Sequence, residues 1–333
     1  MTQSADHIFA IRSEAEFAAA AMETFRLQAE RCGVYREYME RIGVRPAGVS
    51  DWREIPMLPI GFFKWREVYC GDRPPEKIFT SSNTGGTDAS RHAMQSLALY
   101  EQAFTGAFSI FYGAPAGLSL YCLLPNYLER EGSSLVYMCD RLIAAAGGGG
   151  FYLNQYEKLL DDMARDPRPK ILLGVSYALW ELAERFPTPL HDTIVMETGG
   201  MKGRREELPK EEFHAILCRA FGVSAIHSEY GMAELTSQAY SDGRGVFRCP
   251  PWMRVAVRDV NDPFDRQGAG VRGGLDIIDL ANRWSCAFIS TQDVGRVAAD
   301  GSFTVEGRID RSDIRGCNLL IQNSKFKIQN FHL

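Results

Sequence analysis

The stretch Thr80-Ser81-Ser82-Asn83-Thr84-Gly85-Gly86-Thr87-Asp88 concentrates hydroxyl side chains, one amide and two adjacent glycines. Glycines let a backbone turn several N–H groups toward one anion, and hydroxyls add donors without bulk. That chemistry suits a phosphate, as would the positive end of a helix beginning behind the loop. It is not the Walker pattern, because no G-x-x-x-x-G-K-[ST] occurs. The same residue types also fill ordinary turns for local reasons, so the loop alone leaves both readings open. In Glu229-Tyr230-Gly231-Met232-Ala233-Glu234 an aromatic ring beside a glycine offers a flat face for a base. A nearby carboxylate such as Glu234 can hold magnesium through one oxygen; the plain alternative is a strand-to-helix turn. Glu197-Thr198-Gly199-Gly200 ends a β-rich run, where α/β folds place ligands, or it is a simple turn. Thr291-Gln292-Asp293 supplies an aspartate able to accept both ribose hydroxyls, and Gly307-Arg308-Ile309-Asp310 supplies an arginine for a phosphate or ribose. Cys317 sits beside Arg315-Gly316, where a cation favours the thiolate that attacks acyl carbon; otherwise it is a buried apolar residue. The histidines offer no triad, and no G-x-S-x-G supports a hydrolase. His227 borders an acyl pocket or packs in the core.

A scaffold must bring these scattered residues together, and 333 residues can bury a sizeable core as one large domain or two modest ones. Hydrophobic residues at 45% and charged residues at 24% are ordinary for a soluble globular chain. The net charge of −5 argues against a general nucleic-acid surface, which needs a basic stripe. The basic run Lys202–Arg205 is followed at once by Glu206 and Glu207 and reads as a solvated turn. No apolar run is long enough for a membrane span, and the polar N-terminus has no signal-peptide pattern. Eight scattered cysteines without C-x-x-C give neither a disulfide framework nor a zinc site, so a reducing cytoplasm is expected.

Glu14–Cys32, rich in Ala and free of Gly and Pro, predicts a helix, and Ile55–Lys64, with two prolines, an irregular connection. A second helix is expected from His92 to about Phe104, directly behind the hydroxyl-rich loop. Strands at Leu118–Leu124, Ile171–Val175, Thr193–Glu197 and Val223–His227 alternate with helices at Asn154–Arg165, Tyr177–Arg185 and Pro209–Phe221. That alternation predicts a largely parallel sheet covered by helices. Gly147–Gly150 reads as a flexible loop. After Pro250, runs at Trp252–Val260, Leu275–Leu280, Cys286–Ser290 and Phe303–Val305 predict an appended antiparallel sheet or barrel.

The order of the motifs adds what none carries alone. A Ser/Thr/Gly loop, a GG after a strand, Y-G-M-x-E, T-x-D and G-R-x-D resemble the motif series of adenylate-forming enzymes, from Thr80 to Asp310. The resemblance implies an α/β fold, the large N-terminal domain of that superfamily, spanning residues 1–310. It implies that Thr80, Ser81, Ser82, Asn83, Thr84, Gly85, Gly86 and Thr87 hold ATP phosphates and that Gly199 and Gly200 line an adenine pocket. Tyr230, with Gly231 and Met232, would meet the adenine, Glu234 would bind Mg2+, Asp293 the ribose, and Arg308 would close on the nucleotide. Three departures stand out: the loop has no lysine at its end, Ala233 replaces a threonine, and Gln292 replaces a glycine. The chain stops soon after Asp310, so the superfamily's mobile C-terminal domain is expected to be lacking.

One branch is similar over nearly the whole chain: the acyl-protein synthetase subunit of the bacterial luminescence fatty-acid reductase. The residues that carry this are Pro59-Ile60-Gly61-Phe62-Phe63-Lys64, Pro125–Arg130 with Ser133-Ser134-Leu135, and Asp313–Asn318. The resemblance implies activation of a carboxylic, fatty acid, and then transfer to Cys317 in a tail of residues 311–333. From there the acyl group would pass to a partner acyl-thioester reductase. Transfer to coenzyme A is the close alternative, and a nucleotide-binding scaffold without chemistry is the reading from a different class.

Overall fold

The computed structural model describes residues 6–81, 89–125, 132–199 and 208–309. After a short helix α1 (Asp6–Phe9), the helix α2 (Glu14–Arg31) begins at a capping box. The Ser13 hydroxyl accepts from the Glu16 N–H, and the Glu16 carboxylate accepts from the Ser13 N–H. Helix α3 (Gly33–Arg41) follows, then β1 (Leu58–Pro59) and the single-turn α4 (Phe62–Trp65), the irregular connection that two prolines predict.

The segment around the hydroxyl-rich loop differs from expectation. β2 (Lys77–Thr80) and β3 (Arg91–Met94) form a separate two-stranded antiparallel sheet in which Thr80 pairs with Arg91. The helix expected from His92 therefore starts only at Leu97, as α5 (Leu97–Tyr112), where the Ser96 hydroxyl caps the Leu99 N–H. Ala93 and Met94 are good helix formers, but the ladder with β2 and the complete burial of His92 override that preference. Among the described residues the stretch after Thr80 and Ser81 is thus followed in sequence by a strand, and the next helix starts only at Leu97.

The alternating region follows. It comprises β4 (Ser119–Leu123), α6 (Ser134–Ala146), β5 (Gly149–Tyr152), α7 (Tyr156–Arg165), β6 (Lys170–Val175), α8 (Ser176–Arg185), β7 (Thr193–Thr198), α9 (Lys210–Phe221) and β8 (Ile226–Tyr230). These strands lie in the order β5-β4-β6-β7-β8, all parallel. β4 and β6 are buried along their whole length, as strands covered on both faces must be. The glycine run is not a free loop: Gly147 ends α6 in the left-handed conformation, and Gly149 opens the edge strand β5. A Cβ on Gly149 would stand 2.0 Å from the Leu120 carbonyl oxygen, so a bare backbone is required there.

Across β8 the sheet changes character and runs on antiparallel through β9 (Ala239–Ser241), β10 (Val246–Arg248), β14 (Phe303–Arg308), β13 (Phe288–Val297), β12 (Arg272–Asp279) and β11 (Met253–Arg258). β9 and β10 were not expected from the sequence. β8 extends three residues past its expected end at His227, and Thr291–Asp293 lies inside β13 rather than at its end. The long α2 is stitched to this half by Gln28. Its amide donates to the carbonyls of Asn282 and Arg283 and accepts from the Ala287 N–H, at 2.8, 3.0 and 2.9 Å. No described helix is long and apolar enough to cross a membrane.

Candidate functional site

Thr80 and Ser81 form the neck of the hydroxyl-rich loop. The Thr80 N–H donates to the Gly132 carbonyl at 2.8 Å, the Ser81 N–H to the Ser90 carbonyl at 3.0 Å, and the Ser90 N–H returns to the Ser81 hydroxyl at 2.9 Å. Ser82, Asn83, Thr84, Gly85, Gly86 and Thr87 lie outside the described residues, as do Gly200, Cys317, Asn126–Arg130 and Asp313–Asn318. Ser133, from the same branch-specific stretch, is the N-cap of α6.

Ser90, at the base of this neck, hydrogen-bonds Glu234, a buried carboxylate in the connection after β8. Burial raises its pKa above the ordinary range, and the Ser90 hydroxyl, Lys64 and Arg308 work against that rise. A buried carboxylate that, among the described residues, accepts from a serine hydroxyl and pairs with no cation at close range is short of positive charge, which fits a divalent cation. The backbone that carries it is pinned from three directions. His92 Nδ1 lies 2.8 Å from the Ala233 carbonyl and Nε2 2.9 Å from Asn282 Oδ1, while Asn282 Nδ2 donates to the Glu234 carbonyl at 2.8 Å. Asp279 accepts from the Thr236 and Ser237 N–H groups at 2.8 Å and from the Ser237 hydroxyl at 2.6 Å.

Tyr230, Asp293 and Arg308 converge across the sheet. Tyr230 is the last residue of β8, and its hydroxyl donates to Asp293 Oδ2 at 2.7 Å. Asp293 and Arg308 are direct cross-strand partners on β13 and β14, with Arg308 Nε 3.6 Å from Asp293 Oδ1. Burial pushes the Asp293 pKa up, opposed by the Tyr230 hydroxyl and Arg308. The Tyr230 ring is fixed by Phe303 and Phe247, whose own rings stack 5.3 Å apart. Arg308 stays largely exposed, with its guanidinium also reaching Gln292 Oε1 at 3.2 Å. Gln292, the departure from the usual glycine, thus serves as an anchor for Arg308.

Gly199 follows β7 with φ +68°, and its carbonyl accepts from the Ser176 hydroxyl at 3.1 Å. Gly231 leaves room for a neighbour: a Cβ there would fall 2.4 Å from Glu229 Oε1. Met232 is half-buried against the core. Ser90, His92, Asn282 and Asp279, and the buried carboxyls Glu197 and Glu229 as individual groups, do not stand out from the sequence alone. Their signal is weak, a polar residue at the end of an apolar run, and becomes legible only once strands are paired.

No family model and no curated protein sequence matches the chain. Among solved structures, it is similar to 2-hydroxyisobutyryl-CoA ligase with a bound adenylate, in the postadenylation state. There the TM-score is 0.69 at 14% identity, over 89% of this chain and 68% of that one. The same ligase in an open conformation with 2-HIB-AMP and CoA gives 0.67 at 13%, over 90% and 70%. The chain shares their fold. ATP-bound MatB from Rhodopseudomonas palustris gives 0.53 at 18% identity over 69% of this chain. The chain spans about half the length of MatB, 47% of it being covered. The architecture they share is a set of parallel strands under helices with an antiparallel sheet appended.

Proposed function

We propose that this protein activates a carboxylic acid with ATP, releasing pyrophosphate, and passes the acyl group from the acyl-adenylate to a thiol, coenzyme A first among the candidates. The observation that carries the reading is the convergence of Tyr230, Asp293 and Arg308 within hydrogen-bonding or ion-pair reach. Tyr230 offers a ring for the base, and Asp293 Oδ1, 3.6 Å from Arg308 Nε, can accept a ribose hydroxyl. Arg308, exposed at the rim, reaches toward phosphate oxygens. Glu234 would hold magnesium, which would spread the negative charge of the phosphates.

In the reaction, a substrate carboxylate oxygen bonds to the α-phosphorus while the bond to the bridging oxygen breaks and pyrophosphate leaves. Arg308 and the donors of the Thr80–Thr87 loop stabilise the charge that develops. The acceptor thiolate then attacks the acyl carbon and displaces AMP. Coenzyme A is favoured as acceptor because similar folds belong to proteins named as CoA ligases.

Acid-dependent exchange of labelled pyrophosphate into ATP, run over a panel of carboxylic acids, tests activation. Exchange that no acid stimulates removes the enzymatic reading and leaves a nucleotide-binding scaffold. A second stage with labelled acid and coenzyme A tests the acceptor. Label on the protein itself, released by neutral hydroxylamine and lost in Cys317→Ser, would move the acceptor to Cys317 and bring the reductase partner with it.

A further inference from the structure

Glu197, one residue before the end of β7, is a buried carboxylate with three close donors and a histidine nearby. Ser176 and Ser228 hydroxyls and Lys210 Nζ each lie 2.8 Å from its oxygens, and His214 Nε2 lies 3.6 Å away. These groups come from the start of α8, from β8 and from one face of α9, so a single carboxylate ties three elements to β7. Burial alone would raise its pKa, but His214, Lys210 and Ser176 outweigh that and hold it at about 2, so it is ionised. Two contacts lead from this hub to the candidate nucleotide site. The single Ser176 hydroxyl proton is shared between Glu197 and the Gly199 carbonyl 3.1 Å away, and Lys210 Nζ stands 4.8 Å over the ring of Phe247. Phe247 in turn packs on Tyr230 and stacks on Phe303. The pairing of Thr198 with Glu229 brings Gly199 level with Tyr230.

We propose that the Glu197–Lys210 pair is a positioning device that fixes the gap between the Gly199 turn and the Tyr230–Phe247–Phe303 platform, and so sets how well an adenine base is gripped. This rests on the nucleotide reading given above. Neither residue needs to touch the nucleotide. One end of the pair holds the turn through Ser176, and the other holds the platform through Phe247. A truncated Lys210 frees the Phe247 face and leaves Glu197 to its serines and His214, so the two walls lose their common anchor. A phosphate-only ligand, which meets the loop and Arg308, does not sense this gap.

The test is calorimetric titration of the full chain with adenosine, ATP–magnesium and inorganic triphosphate, for the parent, Lys210→Met, Lys210→Arg and Glu197→Gln/Lys210→Met. The double variant removes both charges, so it avoids an unpaired buried carboxylate. The expected result is at least a tenfold loss of adenosine affinity in both methionine variants, with triphosphate affinity within twofold of the parent. Lys210→Arg should restore most of the adenosine affinity. Adenosine affinity unchanged in the methionine variants overturns the positioning role while leaving the nucleotide reading intact. An equal loss for adenosine and triphosphate, with a lowered unfolding midpoint, overturns it as a merely structural contact. A parent that binds triphosphate but neither adenosine nor ATP overturns the nucleotide reading itself.

Discussion

Asp293 keeps one carboxylate oxygen on Tyr230 and faces Arg308 with the other, an arrangement that survives replacement by the amide. Asp293→Asn should therefore fold normally yet weaken ATP binding by roughly 1–3 kcal/mol, the usual worth of charge-assisted hydrogen bonds. Calorimetry showing an unmoved ATP affinity would remove Asp293 from the ribose site. Glu234→Gln belongs to a different step: if Glu234 holds the proposed magnesium, the variant should lose acid-dependent pyrophosphate exchange while the unfolding midpoint holds, because the metal would lose a charged ligand. Glu229 makes a further prediction through pH. It is fully buried, hydrogen-bonded by Thr198, and burial with help from the nearby Glu197 charge raises its pKa from an ordinary 4.5 to about 7. Between pH 4.5 and 7 the folded state holds a proton that the unfolded state has released. Stability from this group is thus full below pH 4.5 and lost as pH rises through 7, a change of about 3 kcal/mol. Glu229→Gln removes that dependence. Urea midpoints of variant and parent should diverge in the variant's favour from pH 5 to 8, and parallel profiles would sink the assignment.

The elements explain why some of this was legible in the chain and some was not. Alternating apolar runs of five or six residues with ten-residue helices announce a parallel sheet, and β6 with α8 fell where the pattern put them. β3 did not, because Arg91–Met94 carries no period of its own and exists through its ladder with β2. Likewise Glu229-Tyr230 reads as a turn from its polar-glycine neighbours, yet pairing with β7 and β9 extends β8 through both residues. The extension matters for the site, since adjacent residues of a strand point to opposite faces: Tyr230 goes to Asp293 and Glu229 to Thr198. The motif residues on β8, β13 and β14 were legible by type and order; the polar groups that pin them were not, since a buried Asp279 looks like any strand-end aspartate until its partners are known. Asp279 makes this testable. It carries the connection after Glu234 through two backbone N–H groups and one hydroxyl, so Asp279→Ala should cost on the order of 3 kcal/mol in urea unfolding. A loss below about 0.5 kcal/mol, the range of ordinary surface substitutions, would show that the connection is held by something else.

At the scale of the whole molecule, the candidate site lies on the seam where the sheet changes from parallel to antiparallel. Gly199 and Tyr230 come from the ends of β7 and β8, while Asp293 and Arg308 come from β13 and β14, with β9 and β10 between them in the sheet. A ligand that grips both sides must stabilise both halves together, since neither side alone forms the full set of contacts. Binding to the folded state adds about 2.7 kcal/mol when the ligand is present at a hundredfold its dissociation constant. ATP with magnesium at that excess should therefore raise the thermal midpoint by several degrees and shift the whole unfolding transition as one. Inorganic triphosphate at the same molar concentration should give a smaller shift, because it leaves Tyr230 and Asp293 unengaged. In Asp293→Ala the ATP shift should fall toward that of triphosphate, as the antiparallel half loses its hold on the ribose. Differential scanning calorimetry with tryptic protection of each half reads both quantities. If ATP protects only the parallel half, or if the Asp293→Ala shift equals the parent's, the nucleotide does not bridge the seam, and Asp293 and Arg308 belong to the fold rather than to the site.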